Sequence, residues 1–306
     1  MTGRVLVVGA GGQVGGAVCA ALGRRAVGTW RTPPPGGLSA DLEELAARPS
    51  RAEELVARAA PGAVVVAAGM TWVDGCERQP ALADAVNRDG PAALARAAAT
   101  AGARTVYLST EYVFDGRDGP YDEDRPITPL SAYGRSKAEG EGAVREADPD
   151  ALVVRTTVVY GPEAHGRNFA YQLAARLGRG EAMPVPADQV SSPTYNPDLA
   201  AALVGLLDAG TRGVVNVAGP EVMDRVAFAR RLATAMGLDA GLVVPRTTAE
   251  LGQEAPRPLD AGLEVGRLRR LLPGLVLRAP EQAVAHWAAT APPVPWTASG
   301  SAAGPR

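Results

Sequence analysis

A chain of 306 residues with 31 Lys plus Arg against 33 Asp plus Glu has a formal net charge of -2, which argues against a nucleic-acid surface or a polybasic membrane anchor. It is long enough for one large domain or two unequal ones, no apolar run approaches the roughly 18 residues of a membrane span, and the first residues enter a strand with no signal-peptide pattern, so a soluble cytoplasmic protein is expected. Cys19, Cys76, His165 and His286 are its only cysteines and histidines, too few for a disulfide framework, a zinc site or a His-based triad; no metal is expected, and proton chemistry falls to Tyr, Lys, Asp or Glu.

Arg4-Val5-Leu6-Val7-Val8 is a short β-branched run, followed by Gly9-Ala10-Gly11-Gly12-Gln13-Val14-Gly15 and a helical pattern to about Leu22. Strand, glycine turn and helix in that order make a dinucleotide site. The glycines let a pyrophosphate approach the helix N-terminus, where free N–H groups and the dipole favour an anion. Gly9, Gly12, Gln13 and Val14 are the expected contacts. The second strand, Ala26 to Trp30, ends on Arg31 where an acidic residue would hold an NAD ribose. A guanidinium there suits a 2′-phosphate and favours NADPH, with NADH still open; the alternative is that Arg31 is a loop charge. Asp41, the first carboxylate after the Pro/Gly loop, could approach the adenine, and the sequence does not settle its role.

A helix over about 51–59 leads to a buried strand, Ala63 to Ala67, that ends in Ala68-Gly69. Small residues here (Ala67, Ala68, Gly69) leave room for a cofactor at the carboxyl edge of a sheet. A further helix, about Ala81 to Ala101, leads to Thr105-Val106-Tyr107-Leu108 and the hydroxyl-bearing Ser109-Thr110. The β-α alternation predicts a Rossmann-like, doubly wound parallel sheet.

Of the 31 basic residues 30 are arginine, and Lys137 is the only lysine. A composition that replaces lysine wherever charge alone suffices has kept an amine at this position. Tyr133 lies four residues earlier, on the same face of a helix. Lowering a phenol from pKa ~10 to near neutrality takes ~4 kcal/mol, and one ammonium ~4 Å away at an effective dielectric of ~20 supplies about that much. Tyr133 is thus the candidate proton donor and Lys137 its modulator.

After the strand Ala151 to Arg155 and Tyr160-Gly161 the alternation loosens. Helical stretches near Asn168 to Leu177, Asn196 to Leu207 and Asp224 to Met236 mix with short strands such as Gly213 to Val217. The expected organisation is a dinucleotide-binding domain over 1–160 with later segments returning to it, a mixed α/β substrate-binding part over 161–290, and a mobile tail over 291–306.

With these pieces in place the chain resembles the extended short-chain dehydrogenase/reductases, and among them the branch of the dTDP-4-dehydrorhamnose reductases. The resemblance runs over Gly9 to Gly15, Val73-Asp74, Cys76-Glu77, Val86-Asn87, Ser109 to Gly116, Tyr133 to Lys137, Arg155-Thr156-Thr157, Tyr160-Gly161, Asn168-Phe169, Asp188-Gln189, Pro193-Thr194 and Arg257-Pro258. It implies that Tyr133 protonates a sugar C4 oxygen, that Lys137 holds the cofactor ribose and tunes the tyrosine, and that Thr110 bonds the carbonyl. Thr71, Val73, Tyr112 and Val158 would line the sugar pocket, and Asn168 would lie near the nucleotide diphosphate. Thr110 has an alternative as a strand-end cap, and Asn168 one as a helix N-cap. In two places the chain departs from the branch. Glu111 replaces the Asp of a Ser-Thr-Asp-Tyr block, and Val158 stands where the rhamnose enzymes carry a sugar-contacting tryptophan, so a different 4-keto-6-deoxyhexose is open.

The activity implied is NADPH-dependent reduction of a nucleotide-linked 4-ketosugar, with a homodimer allowed. Two other readings share these blocks: an NADP-binding regulatory subunit similar to that of methionine adenosyltransferase, and a nucleotide-sugar epimerase or dehydratase that retains NAD. Retention of the only lysine favours chemistry over a binding-only role.

Overall fold

The computed structural model describes residues 3–291 and 294–296. Seven strands form one sheet, and every pairing in it is parallel. Six of them are β1 Val5–Val8, β2 Ala26–Trp30, β3 Leu38–Ser39, β4 Ala63–Val66, β5 Arg104–Thr110 and β6 Leu152–Thr156. The seventh, Gly213–Asn216, joins the edge beside β6, and the order is Gly213–Asn216, β6, β5, β4, β1, β2, β3. Val, Leu and Ala dominate β1, β4 and β6 because helices cover both faces, and all residues of these strands are buried. One face packs on the helices Gln13–Leu22 and Asn196–Asp208. The other packs on Ser50–Ala59 and Gly90–Thr100. The chain reverses direction across the sheet between β1 and β4, which opens a crevice at their carboxyl ends.

The expected helix over 81–101 is interrupted. It runs as Pro80–Asp84, a wide turn over Ala85–Asp89, and Gly90–Thr100. Pro91 has no N–H to give to the carbonyl four residues back, at Asn87. The Tyr107 hydroxyl, reaching up from β5, donates to that carbonyl instead, at 2.5 Å. The interruption leaves the Asn87 side chain, fully buried, free to bind the loop after β4. It accepts from Met70 N at 2.9 Å and donates to Met70 O at 3.0 Å.

A second, smaller core gathers Tyr160, Leu173, Tyr195, Phe228, Leu232 and Trp287. It is built from the helices Phe169–Gly178, Arg225–Ala235 and Pro280–Thr290 and from two-stranded pairings such as Met183–Pro186 with Val243–Arg246. Of the segment expected to be a mobile tail, Val294 is buried and Trp296 meets Trp287 edge-on at 4.9 Å. These described residues are docked on the second core, because an indole and a valine have apolar surface to remove from water. Residues 292–293 and 297–306 lie outside the described residues. Among the described residues no helix is long and apolar enough to cross a membrane.

Candidate active site

A cleft of about 2000 Å³ runs along the carboxyl ends of the strands and between the two cores. It is two or more times the size of a usual small-molecule pocket, enough for two ligands. At one end is the glycine turn after β1. Gly9 has φ 94°, and a Cβ there would stand 2.8 Å from Ala68 N. A Cβ on Gly15 would fall 2.1 Å from Gly9 O. Both positions therefore exclude a side chain, and the turn stays tight against the helix Gln13–Leu22. Gly9, Gly12, Gln13, Val14, Arg31, Asp41, Ala67, Ala68 and Gly69 all line the cleft. Gln13 Nε2 is buried without a partner, an orphaned donor of the kind a phosphate or ribose oxygen satisfies. Arg31 is exposed at the end of β2. This end of the cleft fits a dinucleotide. Asp41 has a structural task as well: its Oδ1 accepts from Glu43 N at 2.9 Å and caps the short helix Leu42–Ala47.

Thr110, Tyr133 and Lys137 converge in the middle of the cleft. Thr110 closes β5, beside Thr156 of β6. Tyr133 and Lys137 sit on the first two turns of the helix Ala132–Ala147, whose start is fixed twice. Ser131 Oγ accepts from Gly134 N at 3.1 Å, and Glu77 Oε1 accepts from Ala132 N at 2.6 Å. Tyr112 packs edge-on against Tyr133, with ring centroids 5.3 Å apart. Lys137 Nζ donates to Leu108 O at 2.5 Å and lies 4.0 Å above the Tyr107 ring.

The electrostatics depart from the simple pairing expected above. Burial pushes the Tyr133 phenol well up, while a hydrogen bond with Thr110 works in the opposite direction. Burial pushes Lys137 down to about 7, and the Glu141 carboxylate partly restores it. The lysine's amine is turned to the Leu108 carbonyl and the Tyr107 ring. Burial also pushes Tyr112 up to about 12.

Glu111 is buried next to Thr110, and its carboxylate takes two hydroxyls. Thr110 Oγ1 donates to Oε2 at 2.8 Å and Thr157 Oγ1 to Oε1 at 2.8 Å. Burial raises the Glu111 pKa against the pull of these bonds. Thr110 also caps the following turn, accepting from Tyr112 N at 3.3 Å, while lining the cleft. Thr71, Val73, Tyr112 and Val158 line the cleft. Val158 has φ 38°, a left-handed backbone that a β-branched residue rarely adopts and that clusters at functional sites. Asn168 is different. It does not line the cleft; it caps the helix Phe169–Gly178 by accepting from Ala170 N at 3.1 Å, and its Nδ2 donates to Gly161 O at 2.8 Å. Both ends of its amide are engaged, so the capping alternative describes it.

Sequence reading missed Arg225, whose guanidinium lines the cleft and stacks on Phe169 at 4.6 Å. It also missed His165, whose Nε2 lies 3.0 Å from Gly11 O across the cleft mouth. No local motif marks either, because each reaches the site from the second core through tertiary packing. Among the described residues no group of three or more His, Cys, Asp or Glu could hold a metal ion.

A doubly wound parallel sheet, a glycine turn after its first strand and a Thr/Tyr/Lys cluster at the switch-point crevice define a dehydrogenase/reductase of the extended short-chain class. The family model described as "RmlD substrate binding domain" matches residues 3–291, and the chain belongs to that family. It is 39% identical over 270 residues to a dTDP-4-dehydrorhamnose reductase of Mycobacterium tuberculosis, covering 83% of this chain and 82% of the relative. It is 37% identical over 230 residues to a probable dTDP-4,6-dihydroxy-2-methyloxan-3-one 4-ketoreductase of Streptomyces antibioticus, covering 72% and 76%. Among solved structures it is similar to a dTDP-4-dehydrorhamnose reductase of Clostridium acetobutylicum, with TM-score 0.82, 30% identity and coverage of 94% of this chain and 98% of that one. It is also similar to the Bacillus anthracis dTDP-4-dehydrorhamnose reductase in complex with NADP, with TM-score 0.80, 29% identity and coverage of 94% and 99%. The chain is an NAD(P)H-dependent oxidoreductase.

Proposed function

We propose that this protein reduces the 4-keto group of a dTDP-linked 4-keto-6-deoxyhexose with NADPH, in rhamnose or antibiotic deoxysugar biosynthesis. The observation that carries the reading is the convergence of Thr110, Tyr133 and Lys137 in a cleft whose other end fits a dinucleotide. Reductase names on its relatives support ketone reduction over the regulatory-subunit and epimerase or dehydratase readings. A neighbour solved with NADP supports NADPH, as does Arg31 at the end of β2.

When bound, the dinucleotide supplies a hydride to the sugar carbon. The chain's own residues do the rest. The glycine turn and Gln13 hold the phosphates, Arg31 meets the 2′-phosphate, and Lys137 orients the ribose. Tyr133 gives its proton to the C4 oxygen. A phenol held well above its ordinary pKa keeps that proton until a stronger base, the developing alkoxide, forms beside it. Thr110 bonds the same oxygen and fixes the carbonyl for attack. Deep burial excludes water from the transfer.

Val158, where the rhamnose-type enzymes are expected to have an indole, leaves the sugar wall smaller, which supports acceptance of a ketosugar other than the rhamnose precursor. Loss of nicotinamide absorbance on mixing protein, NADPH and a freshly generated dTDP-4-keto-6-deoxyhexose tests the function. Running it with and without a 3,5-epimerase tells which epimer is used. No consumption despite NADPH binding would turn the reading towards the regulatory role. A homodimer and a cytoplasmic location belong to the same proposal, and light scattering and cell fractionation test them.

A further inference from the structure

Among the described residues three Lys or Arg side chains line the cleft: Arg31, Lys137 and Arg225. Arg31 stands at the dinucleotide end and Lys137 beside Tyr133. Arg225 remains, at the opposite end, where the second core closes over the cleft. It is the first residue of the helix Arg225–Ala235, and its backbone N–H donates to Gln189 O at 2.9 Å, which anchors the stem. Its guanidinium lies on the face of Phe169, 4.6 Å from the ring centroid, and this stacking sets the plane of the fork. Nε is buried without a hydrogen-bond partner, and among the described residues Arg225 forms no ion pair. The groups acting on it are Tyr112 and Glu111, and the Glu111 carboxylate is occupied by the hydroxyls of Thr110 and Thr157.

Removal of a guanidinium from water with no counter-ion is costly, and other arginines of this chain in comparable surroundings are paired. Arg155 is buried on Glu141 at 2.7 Å, and Arg257 meets Asp74 at 2.8 Å. An unpaired fork facing an open cleft is complementary to a group that brings negative charge and planar sets of oxygen acceptors, which is the chemistry of a phosphoryl group. We propose that Arg225 binds the diphosphate of the nucleotide-linked substrate and is the residue through which the enzyme demands a nucleoside-diphosphate sugar over a free one. The inference rests on the reading of the substrate given above. It also accounts for Asn168 being committed to its helix: the charge for the diphosphate comes from the next helix of the same core.

The test uses the NADP-loaded protein and two probes, dTDP and inorganic pyrophosphate, measured by titration calorimetry on wild type, Arg225→Met and Arg225→Lys. A thermal melt checks folding. Arg225→Met is expected to weaken dTDP by about 10- to 100-fold, the scale of a desolvated charge-assisted contact, and to abolish pyrophosphate binding, with NADPH affinity unchanged. Arg225→Lys should restore most of the pyrophosphate binding, since it keeps the charge. Unchanged dTDP affinity in Arg225→Met, with wild-type turnover of the ketosugar intact, overturns the inference and leaves the substrate reading standing. Arg225-dependent pyrophosphate binding in a protein that reduces no ketosugar does the reverse, sustaining the anion site and sinking the substrate assignment.

Discussion

Lys137 carries two demands that oppose each other at the level of the single residue. The proposed reaction uses its amine, yet burial brings its pKa down to about 7. Between pH 7 and the ordinary lysine value near 10.4, the unfolded chain binds a proton at this position that the folded chain does not. Stability therefore rises with pH across that window, by roughly 1 kcal/mol per unit. Denaturant melts of wild type and Lys137→Met at pH 7 and pH 9 should show the wild type gaining stability relative to the variant; parallel behaviour would mean that the amine is solvated. Glu111 makes a second prediction. With its carboxylate ionised, the Thr110 proton points at Glu111, and only a protonated Glu111 can donate to Thr110 and release the threonine proton towards a carbonyl. Glu111→Ala, which strands two hydroxyls and leaves the Thr110 rotor without the partner that orients it, should cost about 1–3 kcal/mol of stability and, through that lost orientation, lower kcat about tenfold, with NADPH affinity kept. Unaltered kcat would remove Glu111 from the account.

Among elements, the helix Ala132–Ala147 and β6 are tied by a buried ion pair. Arg155 donates to Glu141 at 2.9 and 2.7 Å, and Glu141 also accepts from Ser109 at 2.5 Å. Arg155→Met leaves Glu141 uncompensated and should cost about 3–5 kcal/mol, whereas removing both partners together should cost less. The helix Ser50–Ala59 ends on exposed Ala60, with φ 44°, a left-handed cap that glycine enters without strain. Ala60→Gly should raise stability by up to about 1 kcal/mol in a urea melt. The strands and most helices were legible because hydrophobic period and glycine punctuation are local. β2 falls on 26–30 as read, and the Tyr133/Lys137 face was set by i, i+4 spacing alone. What was not legible is non-local. The wide turn over Ala85–Asp89 depends on Pro91 and on a tyrosine from β5, and the commitment of Asn168 depends on the Gly161 carbonyl. The position of Arg225 depends on Phe169, more than fifty residues earlier in the chain.

At the scale of the whole molecule the rim of the cleft is held by contacts between segments far apart in the chain. Asn196 Nδ2 donates to Gln13 O at 3.0 Å and to Pro162 O at 3.1 Å, beside the glycine turn. Arg257 meets Asp74 at the far rim. Tyr133 lines the cleft between the glycine turn and the second core, and the central claim is that this phenol is the proton donor. The most direct test is the steady-state rate of NADPH oxidation with a dTDP-4-keto-6-deoxyhexose for wild type and Tyr133→Phe, with NADPH binding measured in parallel. The account predicts turnover by the wild type, a fall in kcat of about 100-fold or more in the variant, and cofactor affinity within a few-fold. A variant that turns over like the wild type would contradict it.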